Sequence, residues 1–405
     1  MKKRAEIVII GGGVVGASVA FHLAERGVRD VLILEREPEQ GRGSTGAASG
    51  GVRAQFETDI NIKMSLYSID FLKNWEHACE YDPKGYLFFA TNDKQFEYLK
   101  ANVEKQRSLG VADVETVDAK TIAEIVPGMN CSDIVGGSFG RHDGFINPLA
   151  VMRGFTKAAI RGGARIEHGV EARSLNVENG RIVGIETSRG LVECDAAVIC
   201  TGARAAEIAG SAGIDLPVSP QRRQIVWART RDPLPLDLPM VIDIGTGFHF
   251  RPAKDFRAHP FVGAEKNPVA AAPDAHFGRE VLFAYPDPDE PTSVRTDFEE
   301  SFVDKVYERA KLRADFLFES EVVRDRCRAG LYENTPDHHA ILGGCEVGGL
   351  YFANGFSGHG VMHSPATGRA LSEIILDGRA SFLDVSCLSL ARFATGELLH
   401  ETAFI

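Results

Sequence analysis

A glycine-rich loop between an apolar strand and a helix constrains the fold of this chain more than any other feature. Residues 7–36 read IVIIGGGVVGASVAFHLAERGVRDVLILER, and Gly11, Gly13 and Gly16 form the pattern G-x-G-x-x-G. The first glycine allows a tight turn, the second lets the backbone approach a pyrophosphate, and the third lets helix and strand pack closely. The start of the helix adds free N–H groups and a positive dipole end. The pattern therefore predicts a dinucleotide-binding site.

The segments around this loop support the prediction. The dense apolar run Glu6–Ile10 predicts a buried parallel strand, Val14–Arg26 a helix, and Val31–Leu34 a second strand. Glu35 follows that strand, where a carboxylate can accept hydrogen bonds from both ribose hydroxyls and would repel a 2′-phosphate. This order of elements favours NAD or FAD and disfavours NADP.

Composition sets broad limits on the function. The 405 residues suit two domains, and 44% hydrophobic with 25% charged residues is ordinary for a globular protein. The net charge of -11 argues against nucleic acid and anionic membranes as partners, because both need a basic surface. No window approaches the roughly 20 apolar residues of a membrane span.

Cysteine and histidine usage predicts neither a disulfide framework nor a metal site. The seven cysteines are odd in number and form no C-x-x-C pair, which favours a reducing interior and a cytoplasmic location. The basic start Met1–Arg4 resembles a signal peptide, but the apolar run breaks at the first glycines and no cleavage pattern follows. His338 and His339 lack a third ligand at useful spacing.

A second glycine-rich segment favours FAD over NAD. Residues 41–56 read GRGSTGAASGGVRAQF and carry the hydroxyls of Ser44, Thr45 and Ser49 before a helix predicted over residues 57–79. The simpler interpretation is a flexible surface loop. A glycine-serine loop that opens a helix is also a second anion cradle, along which an extended FAD can run.

A third segment predicts a return to the same sheet. Asn179-Gly180 is a strong hairpin turn between β-rich runs. Ala196–Cys200 is a buried strand that ends in the small-residue turn Thr201-Gly202-Ala203, which we expect beside the cofactor.

The last glycine-rich segment lies at residues 349–378. A predicted strand, Leu350–Ala353, precedes Gly355, Gly358 and Gly360, and then a helix with Pro365 in its first turn. A helix N-terminus directed at the flavin C2=O would stabilise negative charge on the reduced ring. Three separate glycine-rich junctions fit one long FAD better than NAD.

Four stretches together carry a family resemblance: Ser44-Thr45-Gly46 with Gly50-Gly51, Gly85-Tyr86-Leu87, Gly355-Phe356-Ser357-Gly358-His359-Gly360, and the tail RFATGELLHETAFI. With them the chain resembles the D-amino-acid-oxidase-like superfamily of FAD oxidoreductases, the group of sarcosine, dimethylglycine and glycine oxidases. Within it the chain is most similar to a mitochondrial branch linked to respiratory complex I assembly and its bacterial relatives. The resemblance covers nearly the whole chain.

The resemblance implies an α/β fold with two domains. A Rossmann-like FAD-binding domain would be built from three pieces, and an α+β substrate domain on a mixed or antiparallel sheet from two. The expected cofactor-domain pieces are residues 1–80, 148–215 and 325–405. The expected substrate-domain pieces are residues 81–147 and 216–324.

The resemblance also implies a reaction. A C–N bond of a small amino acid, or of an N-methyl or secondary amino acid, would be oxidised by hydride transfer to flavin N5, and the imine would then hydrolyse. Oxygen, a quinone or a partner subunit would reoxidise the flavin, and homo- or hetero-oligomers remain open. The alternatives are an FAD-bound assembly factor with little turnover and an NAD dehydrogenase.

The sequence departs from the family at three positions. Relatives attach flavin covalently through a histidine where Ala47 falls, or a cysteine where Gly330 falls, so we expect noncovalent FAD. Cys327 is three residues out of register. Glycine oxidase relatives carry a carboxylate-binding arginine where Tyr332 stands, so another basic residue must hold a substrate carboxylate here, or the substrate differs.

Several residues are candidates for the reaction site. Arg53 could anchor a carboxylate or the flavin, or form a surface ion pair; Arg251 could face the flavin or be solvated. His359 could contact flavin or substrate and titrate in use, or only cap the helix. Tyr332 could line the pocket or pack in the core. We expect Arg222 and Arg223 to be a solvated pair, and His363 to pack within the last helix.

The full set of predicted cofactor contacts combines the three glycine-rich junctions and the strand ends beside them. They are Gly11, Gly13, Val14, Val15, Gly16, Glu35, Arg36, Ser44, Thr45, Ala48, Ser49, Gly50, Gly51, Val170, Thr201, Gly202, Gly355, Gly358, His359, Gly360 and Val361.

Overall fold

The computed structural model describes residues 3–77, 79–253 and 278–402. Its strands are β1 (Arg4–Ile10), β2 (Val31–Glu35), β3 (Gly51–Val52), β4 (Tyr86–Ala90), β5 (Val114–Val117), β6 (Gly136–Gly140), β7 (Gly144–Phe145), β8 (Arg165–His168), β9 (Ala172–Glu178), β10 (Arg181–Thr187), β11 (Gly190–Ile199), β12 (Ser219–Arg229), β13 (Met240–Asp243), β14 (His249–Pro252), β15 (Glu280–Ala284), β16 (Glu321–Val322), β17 (Arg328–Asn334), β18 (Ile341–Gly344) and β19 (Leu350–Asn354). Its α-helices are α1 (Val14–Glu25), α2 (Ser44–Ala47), α3 (Asp59–Asn74), α4 (Asp93–Ser108), α5 (Ala119–Ile125), α6 (Pro148–Arg161), α7 (Ala205–Gly210), α8 (Ser301–Arg313), α9 (Asp315–Phe318), α10 (Gly360–Asp377) and α11 (Arg392–Thr395). Within the described ranges, no helix combines the length and apolar character that crossing a bilayer requires.

The first glycine loop follows the central strand of a largely parallel sheet. Its strands stand in the order β18-β19-β11-β1-β2-β8, and all neighbours are parallel except β18 and β19. Ile7 and Ile9 pack with α1, α6 and α10 on one face, whereas Val8 and Ile10 pack against the β9–β10 hairpin on the other. Because both faces are covered, the central strand is continuously apolar.

The hairpin predicted at Asn179-Gly180 is confirmed. It joins β9 to β10 in an antiparallel pair that continues into β11. Asn179 and Gly180 have φ of 49° and 73°, as a two-residue turn between twisted strands requires. The return to the parallel sheet through β11 therefore follows the predicted order.

A second, mixed sheet carries the other large core. Its strands stand in the order β16-β12-β15-β14-β13-β4-β6-β5, with β17 paired to β12, and all neighbours are antiparallel except β13 and β4. Phe89, Phe250 and Phe283 are fully buried beneath α8 and pack with Phe302 and Val306 from that helix. Together the two sheets give the α/β-plus-mixed-sheet architecture that was predicted.

The two sheets take their strands from alternating stretches of chain. The first sheet uses residues 4–35, 165–199 and 341–354; the second uses 86–140, 219–284 and 321–334. The division into two domains stays a prediction, and β17 joins the second sheet although it follows the boundary expected at residue 324. Residues 254–277 of the expected substrate domain and the last three residues of the tail lie outside the described residues.

Two helix predictions need correction. The helix expected over residues 57–79 is shorter, because α3 spans Asp59–Asn74. Pro365 lies beyond the first turn, because α10 begins at Gly360. Pro365 cannot donate to the carbonyl of Val361, but the Ser364 hydroxyl donates to that oxygen at 2.9 Å. This substitute bond offsets part of the cost of a proline inside a helix.

Candidate functional site

A cavity of about 1100 Å³ is lined by residues of both sheets. Of the residues predicted to hold the cofactor, these line it: Gly11, Gly13, Val14, Val15, Glu35, Arg36, Ser44, Thr45, Ala48, Ser49, Gly50, Gly51, Val170, Thr201, Gly202, Gly358, His359, Gly360 and Val361. Arg53 and Tyr332 also line it, whereas Gly16, Gly355 and Arg251 do not. Ligand pockets usually span about 300–1,000 Å³, so there is room for a dinucleotide beside a small substrate.

The turn of the first loop is built on two close backbone approaches. Gly11 has φ of 107°, and a Cβ there would lie 2.3 Å from the carbonyl oxygen of Cys200. A Cβ on Gly16 would lie 2.0 Å from the carbonyl oxygen of Gly11. Gly16 therefore has the packing role predicted for it and supports the loop from behind, rather than contacting a ligand.

Glu35 presents an oriented carboxylate at the cavity wall. Its Oε2 accepts a hydrogen bond from the N–H of Gly12 at 3.0 Å, and its Oε1 accepts one from the N–H of Glu37 at 2.9 Å. These bonds hold the side chain at the end of β2, the position from which an acid binds a ribose in this type of fold.

We expect Glu35→Ala to weaken retention of FAD by about tenfold or more. The variant removes a charged acceptor for two ribose hydroxyls, and a hydrogen bond to a charged group contributes about 1.5–3 kcal/mol. Flavin occupancy after dialysis measures the effect, with Glu6→Ala, an exposed carboxylate of the same sheet, as control. Equal occupancy in both variants would contradict the assignment.

The second loop is tied to the first loop and to the second sheet. The N–H of Val14 donates to the hydroxyl of Thr45 at 3.1 Å. The Ser44 hydroxyl donates to the carbonyl oxygen of Leu331 at 2.7 Å. The two glycine-rich loops therefore form one continuous wall.

Arg251 holds this second loop from outside the cavity, which corrects its placement as a reaction-site candidate. Its buried guanidinium donates to the carbonyl oxygens of Ser49 and Pro252 and lies over the ring of Phe145, 4.4 Å from the centroid. Arg328 likewise donates to two carbonyl oxygens of the loop. Both arginines therefore hold the backbone of the second loop in place.

The two positions associated with covalent flavin attachment face each other in the wall. A Cβ on Gly330 would lie 2.7 Å from the Cβ of Ala47. Cys327 also reaches the cavity, but its Sγ accepts the N–H of Trp227 at 3.4 Å, and burial raises the pKa of the thiol. A raised pKa disfavours the reactive thiolate.

We therefore predict that the flavin is held without a covalent bond. Acid precipitation should release the yellow colour into the supernatant, because neither Ala47 nor Gly330 has a side-chain atom able to form the link. Colour retained in the pellet would contradict the prediction.

The third loop is fitted against Tyr332. Gly358 has φ of 98°, and a Cβ there would lie 2.5 Å from Tyr332 Cε2. Gly355 has φ of 75° and donates its N–H to Glu333 at 3.1 Å, so it shapes the loop without reaching the cavity. The N-terminus of α10 then begins at the cavity wall with Gly360.

Arg53 and His359 meet in that wall. They are 3% and 4% exposed, and Arg53 Nη2 lies 3.5 Å from His359 Nε2. The guanidinium lies over the ring of Phe56 at 4.4 Å, and this ring meets His359 edge-on at 4.8 Å. Burial and the Arg53 charge hold the pKa of His359 well below its ordinary value. The imidazole is therefore neutral, which corrects the expectation that it titrates in use.

Arg53 forms no ion pair with any acidic residue that the structure describes. Asp143 acts on it at longer range, but its carboxylate accepts hydrogen bonds from the N–H of Ala54 at 2.6 Å and the amide of Gln55 at 2.9 Å. Burial also raises the pKa of Asp143 to about 7. A buried guanidinium without a counter-charge is costly unless a ligand supplies one.

Arg222 and Arg223 are not the solvated pair that was expected. Adjacent residues of a strand point to opposite faces, so β12 directs Arg222 into a buried ion pair with Glu290 at 2.9 Å and Arg223 towards the cavity. The Arg223 Nε is buried without a hydrogen-bond partner among the described residues. Its guanidinium lies 5.4 Å from the ring centroid of Tyr332.

Three further wall residues went unassigned in the sequence. Tyr86 lies against the second loop, because a Cβ on Gly51 would meet its hydroxyl oxygen at 1.7 Å. Burial lowers the pKa of His249 to about 4 and raises that of Glu333 to about 7. Only Tyr86 had a sequence signal, the short Gly85-Tyr86-Leu87 match.

The wall fits an extended FAD. The start of α1 and the Glu35 carboxylate lie at one part of the cavity, and the two further glycine-rich junctions continue it. The Thr201 hydroxyl lies in the same wall, buried and with no partner in the part of the chain that the structure describes. Such a group is expected where a ligand completes the hydrogen bonding.

The remaining histidines have structural partners. His363 lies 2.9 Å from the Ser65 hydroxyl, and His339 lies 3.0 Å from that of Thr58. Over residues 3–77, 79–253 and 278–402, no group of three or more His, Cys, Asp and Glu side chains could hold a metal ion.

Comparison with known proteins gives a consistent family. The model of the DAO family, described as FAD dependent oxidoreductase, matches residues 6–374. The chain is 31% identical to FAD-dependent oxidoreductase domain-containing protein 1 of Xenopus laevis, over 98% of this chain and 84% of that protein. It is 27% identical to mitochondrial dimethylglycine dehydrogenase of Rattus norvegicus, over 94% of this chain but 44% of the dehydrogenase.

Solved structures show the same fold. L-proline dehydrogenase from P. horikoshii superposes with a TM-score of 0.85 at 27% identity, covering 98% of this chain and 100% of that one. Glycine oxidase from Geobacillus kaustophilus superposes with a TM-score of 0.80 at 22% identity, covering 96% and 99%.

Proposed function

Because the chain belongs to the DAO family of FAD-dependent oxidoreductases, we propose that it oxidises a C–N bond of a small amino acid or of an N-methyl or secondary amino acid. The observation that carries the proposal is Arg53, a buried cation in the cavity wall without an acidic partner among the described residues. A substrate carboxylate would supply the missing counter-charge through paired hydrogen bonds. The dehydrogenase and oxidase names among similar proteins agree with a substrate of this class.

One group of wall residues would hold the cofactor. Gly13, Val14, Glu35, Thr45 and Thr201 would hold FAD along the loops that they line. When bound, FAD would supply a two-electron acceptor for hydride from the carbon of the substrate C–N bond, so that the substrate would become an imine. Water then adds to the imine and releases the amine, which leaves a carbonyl product.

The site also favours the reactive protonation state of the substrate. An amine can donate hydride only when its nitrogen lone pair is free. The positive charges of Arg53 and Arg223 disfavour a nearby ammonium group, because like charges lower its pKa. His249 and His359 are neutral, so they can accept a hydrogen bond from the amine.

An anaerobic substrate panel tests the proposal. Sarcosine, proline, glycine, N-methyl amino acids, aspartate and glutamate are mixed with the FAD-loaded protein, and loss of the absorbance of oxidised flavin is followed together with carbonyl product. At least one member should bleach the flavin and yield one carbonyl per flavin reduced. Bleaching by none of them would instead favour the alternative, an FAD-bound assembly factor with little turnover.

A further inference from the structure

The substrate end of the cavity holds more positive charge than one carboxylate neutralises. Arg53 and Arg223 both line the wall, and neither forms an ion pair with an acidic residue within the described ranges. The neighbouring Arg251 and Arg328 differ, because both donate to backbone carbonyls of the second loop, whereas Arg223 donates at 3.3 Å to the carbonyl oxygen of its own neighbour Arg222. Two cations therefore remain available to a ligand.

Strand register leaves no β17 side chain directly opposite Arg223. In the antiparallel β12–β17 pair, Arg223 lies opposite Gly330 and Gln221 lies opposite Tyr332. Directly opposed residues of such a pair share a face, and Gly330 has no side chain to cover the guanidinium. Tyr332 lies diagonally beside it and provides a ring surface for the cation.

The two guanidinium groups occupy different parts of the wall. Arg53 lies over Phe56 and Phe88, with centroid distances of 4.4 and 5.2 Å, and touches His359. Arg223 comes from the second sheet and lies over Tyr332. Both cations act electrostatically on Tyr332 and on His249, and all four residues line the same cavity.

The other titratable groups around Arg53 and Arg223 carry little negative charge that could neutralise the two guanidinium groups. His249 and His359 are neutral, and burial raises the pKa of Tyr86 and Tyr332 above the ordinary tyrosine value. Glu333 and Asp143 are carboxyl groups near these arginines, and burial raises the pKa of each to about 7. Glu290 and Asp287 also act electrostatically on Arg223, but they form ion pairs with Arg222 and Lys305. Glu333 accepts a hydrogen bond from the N–H of Gly355. Asp143 accepts hydrogen bonds from Ala54 and Gln55, which directly follow Arg53.

We infer that Arg53 and Arg223 bind two different carboxylates of one substrate, which is therefore a dicarboxylic amino acid or an N-carboxyalkyl amino acid. The inference rests on the proposed function, because it names the substrate class of that site. A single carboxylate would leave either the buried guanidinium of Arg53 or the half-buried guanidinium of Arg223 without a counter-charge, which is unfavourable.

A ligand series tests the inference with unreactive probes. The FAD-loaded protein is titrated at fixed ionic strength with malonate, succinate and glutarate, and with acetate and propionate as monocarboxylates. Binding is followed by perturbation of the flavin spectrum and by calorimetry. One dicarboxylate should bind at least about tenfold more tightly than either monocarboxylate, since charge-assisted bonds are the strong ones. Equal affinity across the series would overturn the inference without any variant.

Substitution of Arg223 tests whether this residue binds the second carboxylate. Arg223→Met should abolish the dicarboxylate advantage and leave monocarboxylate affinity within about twofold, and Arg223→Lys should restore part of the advantage. The control Arg324→Met removes a charge between β16 and β17, where the exposed side chain pairs with Glu300, and should change neither affinity. The inference would be overturned if Arg223→Met still bound the dicarboxylate more tightly than the monocarboxylates, or if it lost affinity equally for both classes of ligand.

The outcomes separate this inference from the proposed function. Arg223-dependent preference for a dicarboxylate, with no amine in any panel bleaching the flavin, supports the two-carboxylate site and contradicts the oxidation. Oxidation of monocarboxylic amino acids with equal binding of both probe classes contradicts the two-carboxylate site and supports the oxidation.

Discussion

Arg53→Gln is expected to lower kcat/KM for amino-acid oxidation by about a hundredfold or more. Leaving a ligand carboxylate without its buried cationic partner typically costs about 2–5 kcal/mol, and each 1.4 kcal/mol is about tenfold. Arg53→Lys keeps the charge but loses the paired geometry, so its activity should be intermediate. Steady-state kinetics with the best substrate of the panel measures both variants against Arg141→Gln, an exposed arginine paired with Glu115.

The thermal stability of the same variant distinguishes binding from a structural role. If Arg53 held the fold together, Arg53→Gln would lower Tm in parallel with activity. Because the guanidinium is buried without an acidic partner among the described residues, we expect Tm to be unchanged or higher, the usual result when a strained functional residue is removed. Lost stability with unchanged kcat/KM would contradict the assignment.

Gly358→Val is expected to slow flavin reduction by about tenfold to a hundredfold while FAD stays bound. The residue has φ of 98°, and an added Cβ would lie 2.5–2.9 Å from three atoms of the Tyr332 side chain. A β-branched residue cannot adopt that backbone without strain, so the loop must move or displace Tyr332. A displacement of about 1 Å near reacting groups can cost a hundredfold. Stopped-flow reduction by the best panel substrate measures the effect.

The chain offers a matched control at the other end of α10. Gly378 also has a left-handed φ, 80°, but nothing lies within 4 Å of its added Cβ. Gly378→Val should therefore cost stability through backbone strain and leave the reduction rate unchanged. A normal rate in Gly358→Val would show that this loop does not shape the reaction site.

Local patterns predicted the cofactor side well. The presence and order of β1, α1 and β2, with bounds within two residues of those predicted, follow from motifs in which neighbours in sequence determine the geometry. The Asn179-Gly180 turn and the cavity positions of Glu35 and Thr45 follow in the same way. Gly16 was harder to assign, because the same motif glycine can face a ligand or a packed helix. In the structure Gly16 packs against the backbone of Gly11, which shows that it supports the loop and does not face the cavity.

Long-range packing determined what the sequence did not reveal. The contact between Arg53 and His359 joins residues 306 positions apart, and the backbone role of Arg251 depends on a loop 202 positions away. Arg223 was a different case, since strand alternation predicts opposite faces for adjacent residues. Opposite faces could therefore have been predicted for Arg222 and Arg223, although alternation alone does not say which of the two reaches the cavity.

The central claim is that the protein oxidises a C–N bond beside a carboxylate held by Arg53. The most direct measurement compares anaerobic flavin reduction by proline with that by pyrrolidine, and by sarcosine with that by dimethylamine, in wild type and Arg53→Gln. We expect the carboxylate-bearing member of at least one pair to reduce the flavin at least about a hundredfold faster in wild type, and this preference to disappear in Arg53→Gln. Equal reduction within each pair, or a preference unchanged in Arg53→Gln, would contradict the claim.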